Sequence, residues 1–207
     1  MLNTSTKPKK LKLDFFSFLK ALFNLMKPRV MSLVIFTCAV GLLIAPVKIN
    51  FFEIVFSLTA VALGSGAAGA LNMWYEADLD SVMTRTCLRP IPTGKVTRNQ
   101  ALIFGILASL ISVVALYFFS NLVATIVLAL TILFYVFVYT IWLKPKTPQN
   151  IVIGGAAGSL PPVIGWTIAT GNISLEPIIL FLIIFVWTPS HFWALSLYKT
   201  DDYKNAK

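Results

Sequence analysis

At 207 residues, 57% of them hydrophobic and only 12% charged, the chain is too apolar for a soluble domain, in which about a quarter of residues carry charge. Its length holds about six membrane-spanning helices of ~20 residues with short connections and leaves almost nothing for a separate soluble domain. A net charge of +9 in such a chain reports the bias of basic residues toward the cytoplasmic face, and contact with anionic lipid or a phosphorylated substrate, rather than nucleic acid.

The first element expected in chain order is an amphipathic helix over Leu11–Met26, where apolar residues are interleaved with Lys12, Asp14, Lys20 and Asn24 at helical spacing. Residues 1–29 then form a basic tail ending in an interfacial helix. A secretory signal would show a small-residue cleavage site after one short apolar core. A mitochondrial transit peptide would be rich in arginine and poor in acids. Neither pattern is present, and a bacterial inner membrane is the expected location.

Six apolar stretches follow: Val30–Val47, Phe52–Leu71, Ala101–Ser120, Leu122–Leu143, Ile151–Thr170 and Pro177–Tyr198. Each is near the length that crosses ~30 Å of hydrocarbon as a helix. Helix is the form expected, because an open sheet leaves backbone groups unsatisfied in lipid. With the N-terminus in the cytoplasm, sixteen of the seventeen basic residues fall on the cytoplasmic side, and only Lys48 lies outside. Asp14, Glu76, Asp78, Asp80, Asp201 and Asp202 fall there too, although acids obey no strong topological rule. Cys38 in an apolar run and Cys87 in a polar loop show no metal-site spacing and are not expected to pair.

The loop after the second span, Asn72–Arg98, reads NMWYEADLDSVMTRTCLRPIPTGKVTR. Asn72, Glu76 and Asp80 stand at i, i+4 and i+8, one polar ladder on a helix, with Asp78 on the opposite side. Such a ladder is a seat for Mg²⁺, which takes a few carboxylates and completes its shell with phosphate oxygens. Arg85 and Arg89 repeat the i, i+4 spacing, and guanidinium groups recognise phosphate or carboxylate bidentately. Pro90 and Pro92 end any helix and Gly94 permits a turn. A solvated loop whose charges pair among themselves competes for any single residue, but less well for the whole string.

Further on, Gly154, Gly155 and Gly158, with Ala156 and Ala157, read as a close helix-packing face, and Pro161 with Pro162 marks a kink. His191, the sole histidine, lies within an apolar span. It could orient a substrate or hydrogen-bond across helices. Lys27 and Arg29 flank Pro28 at the mouth of the first span, where anchoring the topology is the simplest role.

The string NMWYEADLD followed by MTRTCLRPIPTG resembles the first aspartate-rich motif of the UbiA-type intramembrane prenyltransferases. The family form is Asn-x-x-x-Asp-x-x-x-Asp. Asn72, Glu76 and Asp80 match it with glutamate in the middle, and RTCLRPIPTG is similar to the branch that farnesylates heme. LMKPRVMSLVIFT resembles that family's entry helix, NIVIGGAAGSLPPVIGW its fifth helix, and TPSHFWALSLYKTDDY its sixth helix and second motif. The second motif departs from its Asp-x-x-x-Asp form, since Asn205 lies four places after Asp201 and Ala206 four after Asp202. Together these segments cover nearly everything beyond the basic tail.

The resemblance implies an all-α integral membrane protein, a UbiA-type bundle with about six of nine helices present, residues 30–207 being a partial prenyltransferase domain. It implies Mg²⁺-dependent transfer of a farnesyl group from farnesyl diphosphate to a vinyl group of heme b, with addition of water, giving heme O. Asn72, Glu76, Asp80 and Asp202 would hold Mg²⁺, with Asp78 and Asp201 as lesser candidates. Arg85, Arg89 and Lys95 would hold diphosphate, either arginine alternatively meeting a heme propionate; Lys27 and Arg29 are permitted diphosphate contacts, and His191 faces heme. Trp74 and Tyr75 are candidate partners for an allylic cation. The bilayer, heme A synthase and a second copy of the chain are the candidate partners. A related enzyme acting on an aromatic or quinone precursor, or a non-catalytic heme-handling membrane protein, are the rival expectations.

Overall fold

The computed structural model describes residues 14–147 and 149–198, with side chains to residue 194; Asp201 and Asp202 lie outside the described residues. Among the described residues there are helices and no strand. In order they are α1 (Phe15–Leu25), α2 (Pro28–Leu43), α3 (Phe51–Tyr75), α4 (Ala77–Val82), α5 (Arg98–Phe119), α6 (Leu122–Leu133), α7 (Asn150–Ser159), α8 (Pro161–Thr170) and α9 (Leu175–Tyr198). A π-helical segment, Phe134–Leu143, extends α6 to the end of its span.

Asp14 caps α1, its carboxylate accepting from the Ser17 N–H at 3.2 Å. The bonds from Ser17 hold that carboxyl below the usual carboxylate range. Ala21 and Leu25 turn inward, while Phe15, Phe16, Leu19 and Phe23 are exposed, as befits a helix lying along an apolar boundary. The inward face meets Ala70 and Met73 of α3 and Ile91 and Val96 of the polar loop in a small cluster.

Between α1 and α2 the chain bends by 54°. Pro28 disfavours helix in the residue before it, and Lys27 adopts left-handed geometry at φ 52°, ψ 64°. The first expected span thus shifts and shortens to the 16 residues of α2. It reaches crossing length only when taken with α1 as a bent pair; among the described residues five other spans are long and apolar enough by themselves. The expected kink is present as the break between α7 and α8, where two prolines follow Leu160.

The bundle closes through small residues. Ser112 of α5 donates to the Ala60 carbonyl of α3 at 2.7 Å, and a Cβ on Gly64 would lie 2.5 Å from the Ser112 Oγ. The α2–α8 crossing is closer still. A Cβ on Gly41 would stand 2.1 Å from the Pro162 carbonyl oxygen, and one on Gly165 would stand 1.8 Å from that of Cys38. Gly154 packs on the Tyr139 ring and Gly155 meets Thr188, but Gly158 has nothing within 4 Å. Of the expected glycine face, Gly158 therefore belongs to a cavity rather than to a helix contact, because it is exposed and lines the hollow described below.

Gly165→Ala is expected to destabilise the bundle by about 2–3 kcal/mol, the upper end of ordinary overpacking, since the obstructing atoms are backbone. The check is the thermal midpoint in detergent micelles, with Gly158→Ala as a control that leaves it unchanged. Equal midpoints for the two would show that the α2–α8 contact is not tight.

Candidate active site

The C-terminal end of α3 and the short α4 that follows carry the ladder. The helix breaks lightly at Glu76, yet the Asp80 N–H still donates to the Glu76 carbonyl at 2.8 Å, so the spacing survives. Asn72, Glu76 and Asp80 are 2%, 7% and 2% exposed, burial that a lone charge would not tolerate.

Each ladder residue meets a cation. Lys27 Nζ donates to Asn72 Oδ1 at 2.5 Å, made possible by the bend that turns residue 27 inward. Lys144 pairs with Glu76. Arg89 donates to both oxygens of Asp80 at 2.8 Å. Asn72 Nδ2 in turn donates to Glu76 Oε1 at 2.9 Å and to Thr140 Oγ1 at 3.1 Å, tying the ladder together. Three half-buried basic side chains thus face two buried acidic ones, and the cluster is net positive.

Arg89 reaches Asp80 because its loop is folded back. The Val96 N–H donates to the Pro90 carbonyl at 3.1 Å, and Gly94 turns at φ 73°. Lys144 and Thr140 come from the π-helical segment, where bonds run five residues back: Thr140 Oγ1 to the Tyr135 carbonyl at 2.9 Å, and Lys144 N–H to that of Tyr139 at 3.0 Å. Such segments recur at functional sites, and this one directs both side chains onto α3.

Of the residues expected from sequence, the structure brings together Lys27, Asn72, Glu76, Asp80 and Arg89. It does not bring in Arg29, Arg85 or Lys95, all exposed, nor Asp78, which is 86% exposed and pairs with Arg98 at 2.9 Å. His191 sits on α9, exposed and stacked on Trp187 at 4.4 Å between ring centroids. Trp74 is half-buried against the small cluster that joins α1, α3 and the polar loop. Lys144 and Thr140 were not anticipated; their i, i+4 spacing at the end of the fourth span was the available signal.

From the cluster a cavity of about 670 Å³, open mouth included, runs into the bundle. Lys27 and Tyr135 stand at its polar end, and most of the remaining lining is apolar, from α2, α3, α6, α7 and α8. Among the described residues no three His, Cys, Asp or Glu converge as a metal group. The two carboxylates and the amide oxygen of the ladder nonetheless suit Mg²⁺, which leaves much of its shell to water and phosphate.

Comparison with known proteins follows the same line. The model of the UbiA prenyltransferase family matches residues 34–207. Protoheme IX farnesyltransferase of Pelagibacter ubique is 67% identical over 208 residues, covering 100% of this chain and 68% of its own. Protoheme IX farnesyltransferase 2 of Mesorhizobium japonicum is 59% identical over 184 residues, covering 89% of this chain and 59% of its own. The chain therefore spans about six-tenths to two-thirds of the length of these relatives. A solved UbiA homolog from Archaeoglobus fulgidus, bound to GPP and Mg²⁺, shares the fold at a TM-score of 0.73 and 18% identity, over 90% of this chain and 66% of that one.

Proposed function

Because the chain belongs to the UbiA prenyltransferase family and is an integral membrane protein, we propose that it transfers a farnesyl group from farnesyl diphosphate to a vinyl group of heme b, making heme O for heme A and cytochrome oxidase assembly. The observation that carries this reading is the net-positive cluster, built on a buried polar ladder, at the polar end of an apolar cavity. A prenyl diphosphate has that same polarity. The names of the two relatives favour heme as acceptor over an aromatic or quinone precursor. The solved homolog was bound to GPP and Mg²⁺, which supports the same donor class here.

Asn72, Glu76 and Asp80 would hold Mg²⁺, with Asp202 and Asp201 as further candidates. Bound there, Mg²⁺ supplies Lewis-acid stabilisation of the departing diphosphate. Lys27, Lys144 and Arg89 hold that anion in a water-poor site, where fixed charges act strongly. The allylic carbon–oxygen bond breaks with its electron pair leaving on diphosphate. The vinyl π pair forms the new carbon–carbon bond, and water captures the resulting cation with loss of a proton. Tyr135, lining the cavity beside the cluster, presents an aromatic ring to the transient positive charge.

Residues 30–207 would form the catalytic membrane domain and 1–29 its tail, in a bacterial inner membrane with the charged site facing the cytoplasm. The test is incubation of purified protein with heme b, farnesyl diphosphate and Mg²⁺, read by mass spectrometry. A heme product heavier by one farnesyl group and one hydroxyl group is expected. Prenylation of a quinone precursor instead, or no product, would overturn the assignment.

His191 is exposed and free of the cluster's contacts, a placement open to heme. His191→Ala is expected to change the visible spectrum of bound heme and to lower turnover at limiting heme. Unchanged spectra and turnover would remove heme contact from its roles.

A further inference from the structure

The cavity has a defined depth. Its lining on α3 steps from Gly69 and Ala68 through Ser65 to Val61, one helix face at i, i+4 and i+7/i+8 spacing. Asn72, which holds Lys27, marks the polar end. Ser65 lies seven residues further in and Val61 eleven, or roughly 10 and 16 Å along the axis at ~1.5 Å per residue. These lengths match extended chains of two and three isoprene units.

At the deeper level three helices converge. Val61 of α3, Leu128 of α6 and Ile164 of α8 all line the cavity and are 0%, 2% and 1% exposed. All three belong to the main apolar core. The α3–α6 approach is tight at this level, since a Cβ on Gly64 would stand 3.3 Å from the Leu128 Cδ1. Small residues of α3 above and three buried side chains from three helices below bound the slot.

We infer that Val61, Leu128 and Ile164 form a floor that sets the prenyl chain length, admitting the fifteen-carbon diphosphate and excluding the twenty-carbon one. The inference rests on the reading that the prenyl tail occupies this cavity. Leu128→Ala opens the floor, and Ser65→Leu raises it by about one helical turn.

The test measures binding rather than turnover. Purified chain in detergent with Mg²⁺ retains radiolabelled farnesyl diphosphate, and unlabelled ten-, fifteen- and twenty-carbon prenyl diphosphates compete for it. The unmodified chain is expected to favour the fifteen-carbon competitor. Leu128→Ala should shift the preference toward twenty carbons by about tenfold or more, and Ser65→Leu toward ten carbons by a similar factor, as one or more methylenes gain or lose room. If Leu128→Ala does not fold, Val61→Ala takes its place. Failure of the unmodified chain to retain farnesyl diphosphate overturns the cavity assignment itself. Retention with an unchanged profile in both variants overturns only the floor.

Discussion

Asp80→Asn is expected to lower farnesyl transfer by roughly a hundred- to thousandfold, the cost of removing one preorganised electrostatic group from a closed site. Asparagine preserves the shape of the side chain and leaves Arg89 an oxygen to bond. What disappears is one negative charge, and with it a strong ligand for Mg²⁺. The loss should therefore be reported in part as a raised Mg²⁺ requirement. A stability cost accompanies it, because Asp80 is buried and its partner loses a counter-ion. Breaking a fully buried pair costs about 3–5 kcal/mol, but the Arg89 side chain is 26% exposed, so solvent screening reduces the cost to about 1–2 kcal/mol. The measurement is initial rate against Mg²⁺ concentration, alongside a thermal midpoint. Full activity at limiting Mg²⁺ would remove Asp80 from the metal site.

The ladder was legible in the sequence because helical spacing is local: Asn72, Glu76 and Asp80 need only the backbone of α3 and α4 to line up. The spans were legible for the same reason, as runs of apolar residues of the right length. Arg85 and Arg89 look equivalent by spacing, yet the turn bonds from Thr86 and Cys87 to the Met83 carbonyl close the chain between them. Arg89 lands on Asp80 while Arg85 stays in solvent, and no periodicity distinguishes them. Lys144 read as a topology charge at the end of a span. Its role depends on a π register and on the packing of that segment against α3, both set by tertiary contact. Lys27 was visible beside Pro28, but not the left-handed bend that carries it to Asn72. The cavity is likewise a property of five helices together, so Gly158 read as packing surface when its neighbours are absent.

Replacing Lys27 and Lys144 together by methionine should move affinity for two simple ligands in opposite directions. As built, three cations face two carboxylates, and every buried side-chain nitrogen or oxygen among the described residues has a partner. Mg²⁺ alone would add positive charge to a cluster already net positive and displace the ammonium of Lys144 from Glu76. Mg²⁺ accompanied by diphosphate brings its own anion, onto which the freed cations turn. Metal and diphosphate therefore favour one another, and linkage makes that preference reciprocal. With both lysines gone, the same cluster becomes net negative. Pyrophosphate with Mg²⁺ should bind at least about a hundredfold more weakly, since each lost charged hydrogen bond contributes about 1.5–3 kcal/mol and the two are close enough to couple. Mg²⁺ alone should bind more tightly, because Glu76 is left without its ammonium and Asn72 Oδ1 is freed. Isothermal titration of each ligand into unmodified and doubly substituted protein reads both signs. General damage to the fold weakens both together, so a parallel loss would rule out this exchange of partners, and opposite shifts would establish it.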